Sequence, residues 1–169
     1  LDNPNPETTW NDDYFGWSVA ISGNYAIVGA YREDEPAGTD SGKAYIFNVS
    51  TGALVATLDN PNPYSTISND VFGYTVSISG NYAIVGAHQE DEAGATSSGK
   101  AYIFDVTTGT LVATLDNPNA YSASADDRFG WSVAISGNYA IVGAYSEDDA
   151  GGSESGKAYM YQLPNAQPY

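Results

Sequence analysis

Hydrophobic residues along the chain fall into short runs, each no longer than a β-strand and bounded by Gly, Asn, Ser and Thr. In the first part of the chain these runs predict strand A at 15–22, strand B at 25–30, strand C at 43–49 and strand D at 53–59. The two-residue link Gly23-Asn24 between A and B favours a tight hairpin. Because no segment has the period of an amphipathic helix, the pattern predicts an all-β chain.

The pattern then repeats with a fixed period. The string Ser-Gly-Asn-Tyr-Ala-Ile-Val-Gly-Ala occurs three times with a step of 57 residues, at 22–30, 79–87 and 136–144. Such a period indicates an array of similar units. We expect one β-propeller unit over 1–169, built of four-stranded antiparallel blades. The predicted repeats are 1–57, 58–114 and 115–169, the last of which lacks its fourth strand.

Charge restricts the partners. The chain has 21 acidic and 5 basic residues and a net charge of −16. This charge repels phosphate backbones and anionic membrane surfaces, so we expect no nucleic-acid partner. No apolar run approaches the roughly 20 residues that span a bilayer, so we expect no membrane insertion. The absence of cysteine excludes disulfides and Cys-ligated metals.

The acidic residues fall in particular loops. In an antiparallel blade the D-to-A and B-to-C connections leave from the same end, and 20 of the 21 acidic residues fall in these connections. Only Asp105 falls elsewhere. The sequence therefore predicts one acidic rim. Lys43, Lys100 and Lys157 are expected to offset neighbouring carboxylates in exposed pairs, which contribute about 0–1 kcal/mol each.

This acidic rim is a candidate calcium site, because calcium takes about 6–8 oxygen ligands. The candidate ligands are Asp13, Glu33, Asp34 and Glu35, with Asp70, Glu90, Asp91 and Glu92, and Asp127, Glu147, Asp148 and Asp149. Two simpler interpretations stay open. Acidic loops often only keep a surface solvated. The Asp before each Phe-Gly pair could accept backbone N–H bonds and fix the turn into strand A, without a metal.

The residues do not indicate catalysis. His88 is the only histidine and replaces a tyrosine of the other copies, so we interpret it as an ordinary loop residue. Paired acids could serve a glycosidase, but here they recur threefold, whereas an active site is normally one asymmetric group. We therefore expect no enzymatic activity. Tyr31 and Tyr145 lie near the acidic loops, where aromatic faces beside carboxylates could hold a carbohydrate.

Three segments of each copy resemble the FG-GAP repeat family, which forms the blades of integrin α-subunit propellers and of many bacterial surface proteins. In the first copy the segments are Phe15-Gly16-Trp17-Ser18-Val19-Ala20, Val28-Gly29-Ala30 and Gly42-Lys43-Ala44-Tyr45-Ile46-Phe47. The resemblance implies an extracellular or cell-surface propeller for adhesion or ligand recognition, often with bound calcium and with a protein or carbohydrate ligand. One feature departs from the family. The Asp-rich loop that binds calcium in integrin-type blades is replaced by Ser22-Gly23-Asn24, so that site is not carried over.

The number of copies raises a further question. Closed propellers typically have about 4–8 blades, so three blades leave blade surfaces exposed. Two identical subunits would supply six blades, and we expect a homodimer that completes one ring; the alternative is an excised part of a larger propeller. A second functional interpretation follows, in which the chain is a structural subunit that self-assembles through open blade edges into a ring or a filament.

Overall fold

The computed structural model describes residues 1–6, 12–34, 40–61, 69–91, 97–118, 126–148, 152 and 154–163. No helix in these segments is long and apolar enough to cross a membrane. Their regular structure consists of β-strands, which confirms the all-β prediction. The strands are β1 Ser18–Ser22, β2 Tyr25–Ala30, β3 Lys43–Asn48, β4 Leu54–Asp59, β5 Thr75–Ser79, β6 Tyr82–Ala87, β7 Lys100–Asp105, β8 Leu111–Asp116, β9 Phe129–Ser136, β10 Tyr139–Ala144 and β11 Lys157–Gln162.

The strands form three antiparallel sheets, one for each sequence repeat. Their orders are β1-β2-β3-β4, β5-β6-β7-β8 and β9-β10-β11. We call these blade-like sheets blade 1, blade 2 and blade 3. Each strand pairs with its neighbour in sequence, as predicted, and blade 3 has three strands among the described residues.

Strand B was predicted with its observed bounds, whereas strand A was not. In blades 1 and 2 regular pairing begins at Ser18 and Thr75, after the Phe-Gly pair. In blade 3 the strand already begins at Phe129, and its register with β10 shifts between Gly143 and Ala144. The start of strand A is therefore an irregular segment, and in blades 1 and 2 regular pairing covers only the later part of the predicted strand.

The tight turns have identifiable causes. Gly23 adopts a φ of 55° in the link between β1 and β2, a conformation that glycine takes without a Cβ clash. In the turn after β7, Asp105 Oδ1 accepts the amides of Thr107 at 2.9 Å and Thr108 at 3.0 Å. The hydrogen bond from the Thr107 side chain is the main reason that the pKa of Asp105 is lowered. Asn48 makes the corresponding bonds in blade 1.

The hydrophobic core lies between blades. Ile27 and Ile46 of blade 1 pack with Phe72, Val76 and Ile78 of blade 2 in one buried cluster. A second cluster joins blades 2 and 3 in the same way, through Ile84, Ile103, Phe129 and Ile135. Each inner junction therefore buries one face of two successive blades, and the repeat is stabilised mainly by its neighbours.

Glycines allow the blades to approach closely. A Cβ atom at Gly29 would lie 2.0 Å from the carbonyl oxygen of Gly73 in the next blade, and a Cβ atom at Gly86 would lie 2.1 Å from that of Gly130. The Ser18 hydroxyl donates a hydrogen bond of 2.8 Å to the same Gly73 oxygen. The Phe-Gly turn of one blade is thus held against the strand B backbone of the preceding blade.

Candidate functional site

One end of the blades carries the predicted acidic loops. Because neighbouring strands are antiparallel, the ends of β2 and β4 and the starts of β1 and β3 lie at the same end. We call this the acidic end. Asp13, Glu33 and Asp34 of blade 1 lie here, as do their counterparts in the other blades. The candidate ligands Glu35, Glu92 and Asp149 lie outside the described residues.

Glu33 is fully buried at the acidic end and is held by two donors. Its Oε1 accepts a hydrogen bond of 2.5 Å from the Tyr45 hydroxyl and one of 2.9 Å from Asn5 Nδ2. The tyrosine bond recurs in the other blades, from Tyr102 to Glu90 at 2.6 Å and from Tyr159 to Glu147. The glutamate is therefore positioned by strand C of its own blade.

The aspartate before each Phe-Gly pair is tied to the end of the preceding strand D. Asn3 Nδ2 donates to Asp13 Oδ2 at 2.9 Å, and the same bond of 3.0 and 2.9 Å joins Asn60 to Asp70 and Asn117 to Asp127. The Asp side chain thus links the end of strand D to the turn into strand A, through a side-chain amide donor and not through the backbone N–H groups that the simpler interpretation expected. The signal was present in the sequence, since each Asn lies ten residues before its Asp.

The Asp34 side chain makes a different kind of hydrogen bond from that of Glu33. Its Oδ1 accepts the amide of Asp40 at 2.8 Å, and Asp40 has a left-handed φ of 52°. The other blades repeat this bond at 2.7 Å, from Ser97 to Asp91 and from Glu154 to Asp148. Asp34, Asp91 and Asp148 therefore close the B-to-C loop, and the pair brought together at the acidic end is Asp13 with Glu33.

The electrostatics agree with proximity of Asp13 to Glu33 and of Asp127 to Glu147. Burial is the main cause that raises the pKa of Glu33; the Tyr45 hydrogen bond opposes this shift, and the charge of Asp13 adds to it. In blade 3 burial raises the pKa of Asp127, and the charge of Glu147 raises it further. Each of these pairs thus concentrates negative charge in a desolvated place.

The hydrogen-bonding capacity of these buried carboxylates is not fully satisfied. Among the described residues, Glu33 Oε2 is buried and accepts no hydrogen bond. In blade 2, burial and then the charge of Asp91 raise the pKa of Asp70 to about 6. Buried carboxylate oxygens without donors are costly, and a cation would relieve that cost.

The described residues contain no cluster of three or more Asp, Glu or His that could hold a metal ion. Each Asp–Glu pair fits calcium in donor type and charge. A calcium ion bound there would need backbone carbonyls and water to complete its shell of about 6–8 oxygens.

The lysines form ion pairs with carboxylates, but these pairs are not exposed on both sides as the sequence predicts. Lys43 Nζ lies 2.8 Å from Asp59 Oδ1, and Lys100 pairs with Asp116, but both lysines are buried while the aspartates are exposed. In blade 3 the partner is the buried Glu147, 3.0 Å from Lys157 Nζ. The lysines therefore contribute to the packing between strands C and D as well as to charge balance.

A row of aromatic rings crosses the acidic end, and sequence reasoning missed it. Successive ring centroids lie between 4.4 and 5.7 Å apart along Trp17, Tyr74, His88, Trp131 and Tyr145. A cleft of about 220 Å³ runs beside these rings. The spacing of 57 residues relates Trp17, Tyr74 and Trp131, and it relates Tyr31, His88 and Tyr145; this was the available signal.

The two arginines of the chain lie on this row. The Arg32 guanidinium lies 5.3 Å from the Tyr14 ring centroid, and that of Arg128 lies 5.9 Å from the Trp131 centroid. Arg128 also makes two hydrogen bonds to the Asp126 carboxylate. Cations over ring faces are favourable, so the cleft combines flat apolar surfaces with positive charge in an otherwise acidic chain.

His88 was interpreted as an ordinary loop residue, and its position in a turn agrees with this interpretation. It follows β6, but its side chain is buried between Tyr74 and Trp131 at ring distances of 4.4 and 4.6 Å. Burial lowers the pKa of His88 to about 4; Arg128 adds to this shift and Asp126 opposes it. The folded chain therefore holds His88 neutral at pH 7.

We expect His88 to destabilise the fold in acid. Its folded pKa of about 4 is below the unfolded value of 6.5, so the unfolded state binds a proton first as the pH falls. Stability due to this residue is complete above pH 6.5 and falls by about 3 kcal/mol as the pH approaches 4. His88→Tyr restores the residue of the other repeats. In urea unfolding, this variant should lose less stability than the unsubstituted chain as the pH falls. Proton NMR of the single histidine measures the pKa directly, and a value near 6.5 would contradict this prediction.

Comparison with known protein families identifies the chain's repeats. The family model described as FG-GAP repeat matches residues 7–47, 66–104 and 119–161, one segment for each blade. No curated protein matches the chain. The three matched segments cover most of the chain and include the Phe-Gly pairs, the buried glutamates and the tyrosines that hold them.

Proposed function

The chain belongs to the FG-GAP repeat family, and from this premise we propose that it is a non-enzymatic extracellular module for recognition or adhesion whose acidic end binds calcium. The observation that carries the proposal is the Asp–Glu pair of blades 1 and 3. Glu33, Asp127 and Glu147 are buried in these pairs, and Glu33 Oε2 lacks a hydrogen-bond partner among the described residues. Such oxygens are suited to a hard cation.

The residues that would hold calcium are the three pairs. Within blade 1, Asp13 precedes strand A and Glu33 follows strand B, so an ion held by both would join the D-to-A and B-to-C loops. It would neutralise the pair and rigidify both loops. The equivalent pairs are Asp70 with Glu90 and Asp127 with Glu147. Calcium tolerates irregular oxygen geometry, whereas magnesium demands a near-octahedral shell.

The aromatic cleft at the same end supports a recognition role. Its lining includes Tyr31, Arg32, Tyr74 and Trp131, which offer ring faces for stacking and a guanidinium for an acidic group. A protein or carbohydrate ligand would contact these side chains. Calcium in the neighbouring loops would hold the rim of the cleft in one conformation before the ligand arrives, which lowers the entropy cost of binding.

The calcium proposal is tested by thermal unfolding and calorimetric titration. At a free calcium concentration of about 100 times the dissociation constant, we expect Tm to rise by roughly 5 to 10 °C for each ion bound. Calorimetry should give up to one ion per Asp–Glu pair, and magnesium should give a smaller shift. Glu33→Gln keeps the size and the hydrogen-bonding oxygen of the side chain but removes a charge, so it should lose the site in blade 1 and part of the Tm shift.

Asp105→Asn is the matched control. It changes the net charge by the same amount at the opposite end of the blades, and Asn48 already occupies the equivalent position in blade 1. This variant should respond to calcium as the unsubstituted chain does. A calcium response equal to that of NaCl at the same ionic strength would overturn the proposal, as would an unchanged response in Glu33→Gln.

A further inference from the structure

Blade 1 leaves one apolar face uncovered. Val19 and Ile21 are 66% and 67% exposed, whereas their counterparts in blade 2, Val76 and Ile78, are 8% and 6% exposed. Val49 of the same face is exposed as well. Val76 and Ile78 are buried because blade 1 packs on them. The leading face, which we define as Val19, Ile21 and Val49, is therefore the surface that a preceding blade covers.

Blade 3 leaves the opposite face uncovered. Ile141 is 42% and Met160 is 80% exposed, whereas Ile27 and Ile46, their counterparts in blade 1, are fully buried against blade 2. We define Ile141, Gly143 and Met160 as the trailing face. At the two inner junctions this face is covered by the leading face of the next blade. The two open faces of the chain are thus the two halves of one junction.

The backbone of the trailing face also leaves space for a partner. A groove of about 170 Å³ beside Gly143 is lined by Ser132, Ile141 and Ala158. At the junction of blades 1 and 2 the corresponding position holds the Gly73 carbonyl, which accepts a hydrogen bond from Ser18. Ser132 is the repeat counterpart of Ser18, so the matching acceptor from another copy is the carbonyl of Gly16.

Leu1 lies against blade 1 at the place where the last strand of a preceding blade would lie. A Cβ atom at Gly52 would lie 3.6 Å from Leu1 Cδ2, and a Cβ atom at Gly109 would lie 3.5 Å from Leu58 Cδ2. Leu58 belongs to β4 of blade 1, where it pairs with Ala44 and contacts the turn of blade 2. Leu1 therefore bears the same relation to blade 1 as the last strand of one blade bears to the next.

The strand register extends this equivalence to the open edge of blade 3. Lys43 pairs with Asp59 across β3 and β4, and Lys157 is the counterpart of Lys43. With a second copy docked on the trailing face, Asp2 of that copy falls opposite Lys157, and Leu1 falls opposite Ala158. The docked copy thus supplies backbone partners and an ion pair in addition to apolar contact.

We propose that the trailing face of one copy packs against the leading face of a second copy, and that two copies close one ring of six blades. Each contact between copies then repeats an inner junction. Two copies of the three blades give six, which lies within the 4–8 or so blades of closed propellers. The inference goes beyond the calcium proposal and does not depend on it.

Sedimentation in chelator over a range of protein concentrations tests the ring. The expected species has twice the 17.8 kDa mass of the chain, and it should become more stable at about 1 M salt, because screening weakens the repulsion between two copies of charge −16. Gly143→Ala should weaken association by about 100-fold or more. Within one copy its Cβ meets only Ser132, so the variant should fold normally by circular dichroism.

Mixing two variants tests the direction of packing. Gly143→Ala blocks the trailing face and Ile21→Glu blocks the leading face, so each variant alone should sediment as a single copy. Their mixture should form a weaker one-to-one dimer, since one of the two junctions remains intact. Leu111→Glu is the control: Leu111 is exposed on β8 of blade 2, outside both faces, and its substitution should leave the dimer unchanged.

Three results would overturn the inference. The first is a single copy at every concentration, as expected if these faces are covered by another partner. The second is a dimer that survives both face substitutions. The third is open polymerisation, with mass that grows steadily with concentration, because a closed six-bladed ring has no free junction.

Discussion

Gly86→Ala should lower the free energy of unfolding by about 3 kcal/mol or more. The added methyl group would lie 2.1 Å from the carbonyl oxygen of Gly130 and close to Thr75 Cγ2. A backbone carbonyl has no rotamer with which to move aside, so blades 2 and 3 must separate. The φ of Gly86 is not in the left-handed region, and the loss therefore measures the blade junction and not backbone strain.

Gly143→Ala is the matched control, because it makes the same change at the same position of blade 3. There a Cβ atom would lie 2.4 Å from the Ser132 hydroxyl, which can rotate, and no backbone atom comes closer than 3.8 Å. We expect a loss of about 1 kcal/mol or less in urea unfolding at low protein concentration. Equal losses in the two variants would mean that the close approach of the blades does not determine stability.

The strands and turns could be predicted because each depends on a local sequence pattern that recurs in all three repeats. Strand B has its predicted bounds, and the turn glycine at Gly23 has the predicted positive φ. The start of strand A could not be predicted, because Gly16, Gly73 and Gly130 adopt positive φ values of 91°, 88° and 91°, which interrupt the extended backbone in all three blades. Bonds between blades leave no mark on the local pattern either, such as the one that the Phe72 amide donates to the Ser41 carbonyl at 3.0 Å.

The acidic end was predicted in position but not in detail. Loop topology alone places the acidic residues at one end of the blades. The role of each acidic residue, however, depends on its hydrogen-bond partners, which can be distant in sequence. Glu33 is held by Tyr45, while Asp34 is used by its own loop. Burial was the hardest property to predict, because Lys43 and His88 have side chains that are usually exposed or partly exposed. Both are buried here by neighbouring strands and rings.

The repeat also explains how the chain can carry most of its charge at one end. The blade cores are apolar and pack in series, so they can be extended without changing the loops. The loops at the acidic end carry nearly all the charge, together with the aromatic row. A scaffold of this kind separates stability, which resides between blades, from the binding that we propose for the loops.

Phe72→Ala should lower the free energy of unfolding by about 3–5 kcal/mol. The ring is fully buried. It contacts Tyr102 and Phe104 of its own blade at centroid distances of 5.8 and 5.9 Å, and it belongs to the cluster shared with blade 1. Its removal leaves a cavity at the junction that rigid strands on both sides cannot fill.

Phe15→Ala separates the contribution of the junction from that of the blade. Phe15 has nearly the same contacts within its blade, to Tyr45 at 5.8 Å and Phe47 at 6.2 Å, but among the described residues no blade precedes it. We expect a loss of about 1–2 kcal/mol. Both variants should be measured in a Gly143→Ala background, which blocks contact between copies. The difference between the two losses is then the energy that a neighbouring blade adds to one Phe-Gly turn, and equal losses would show that each blade is stabilised by itself.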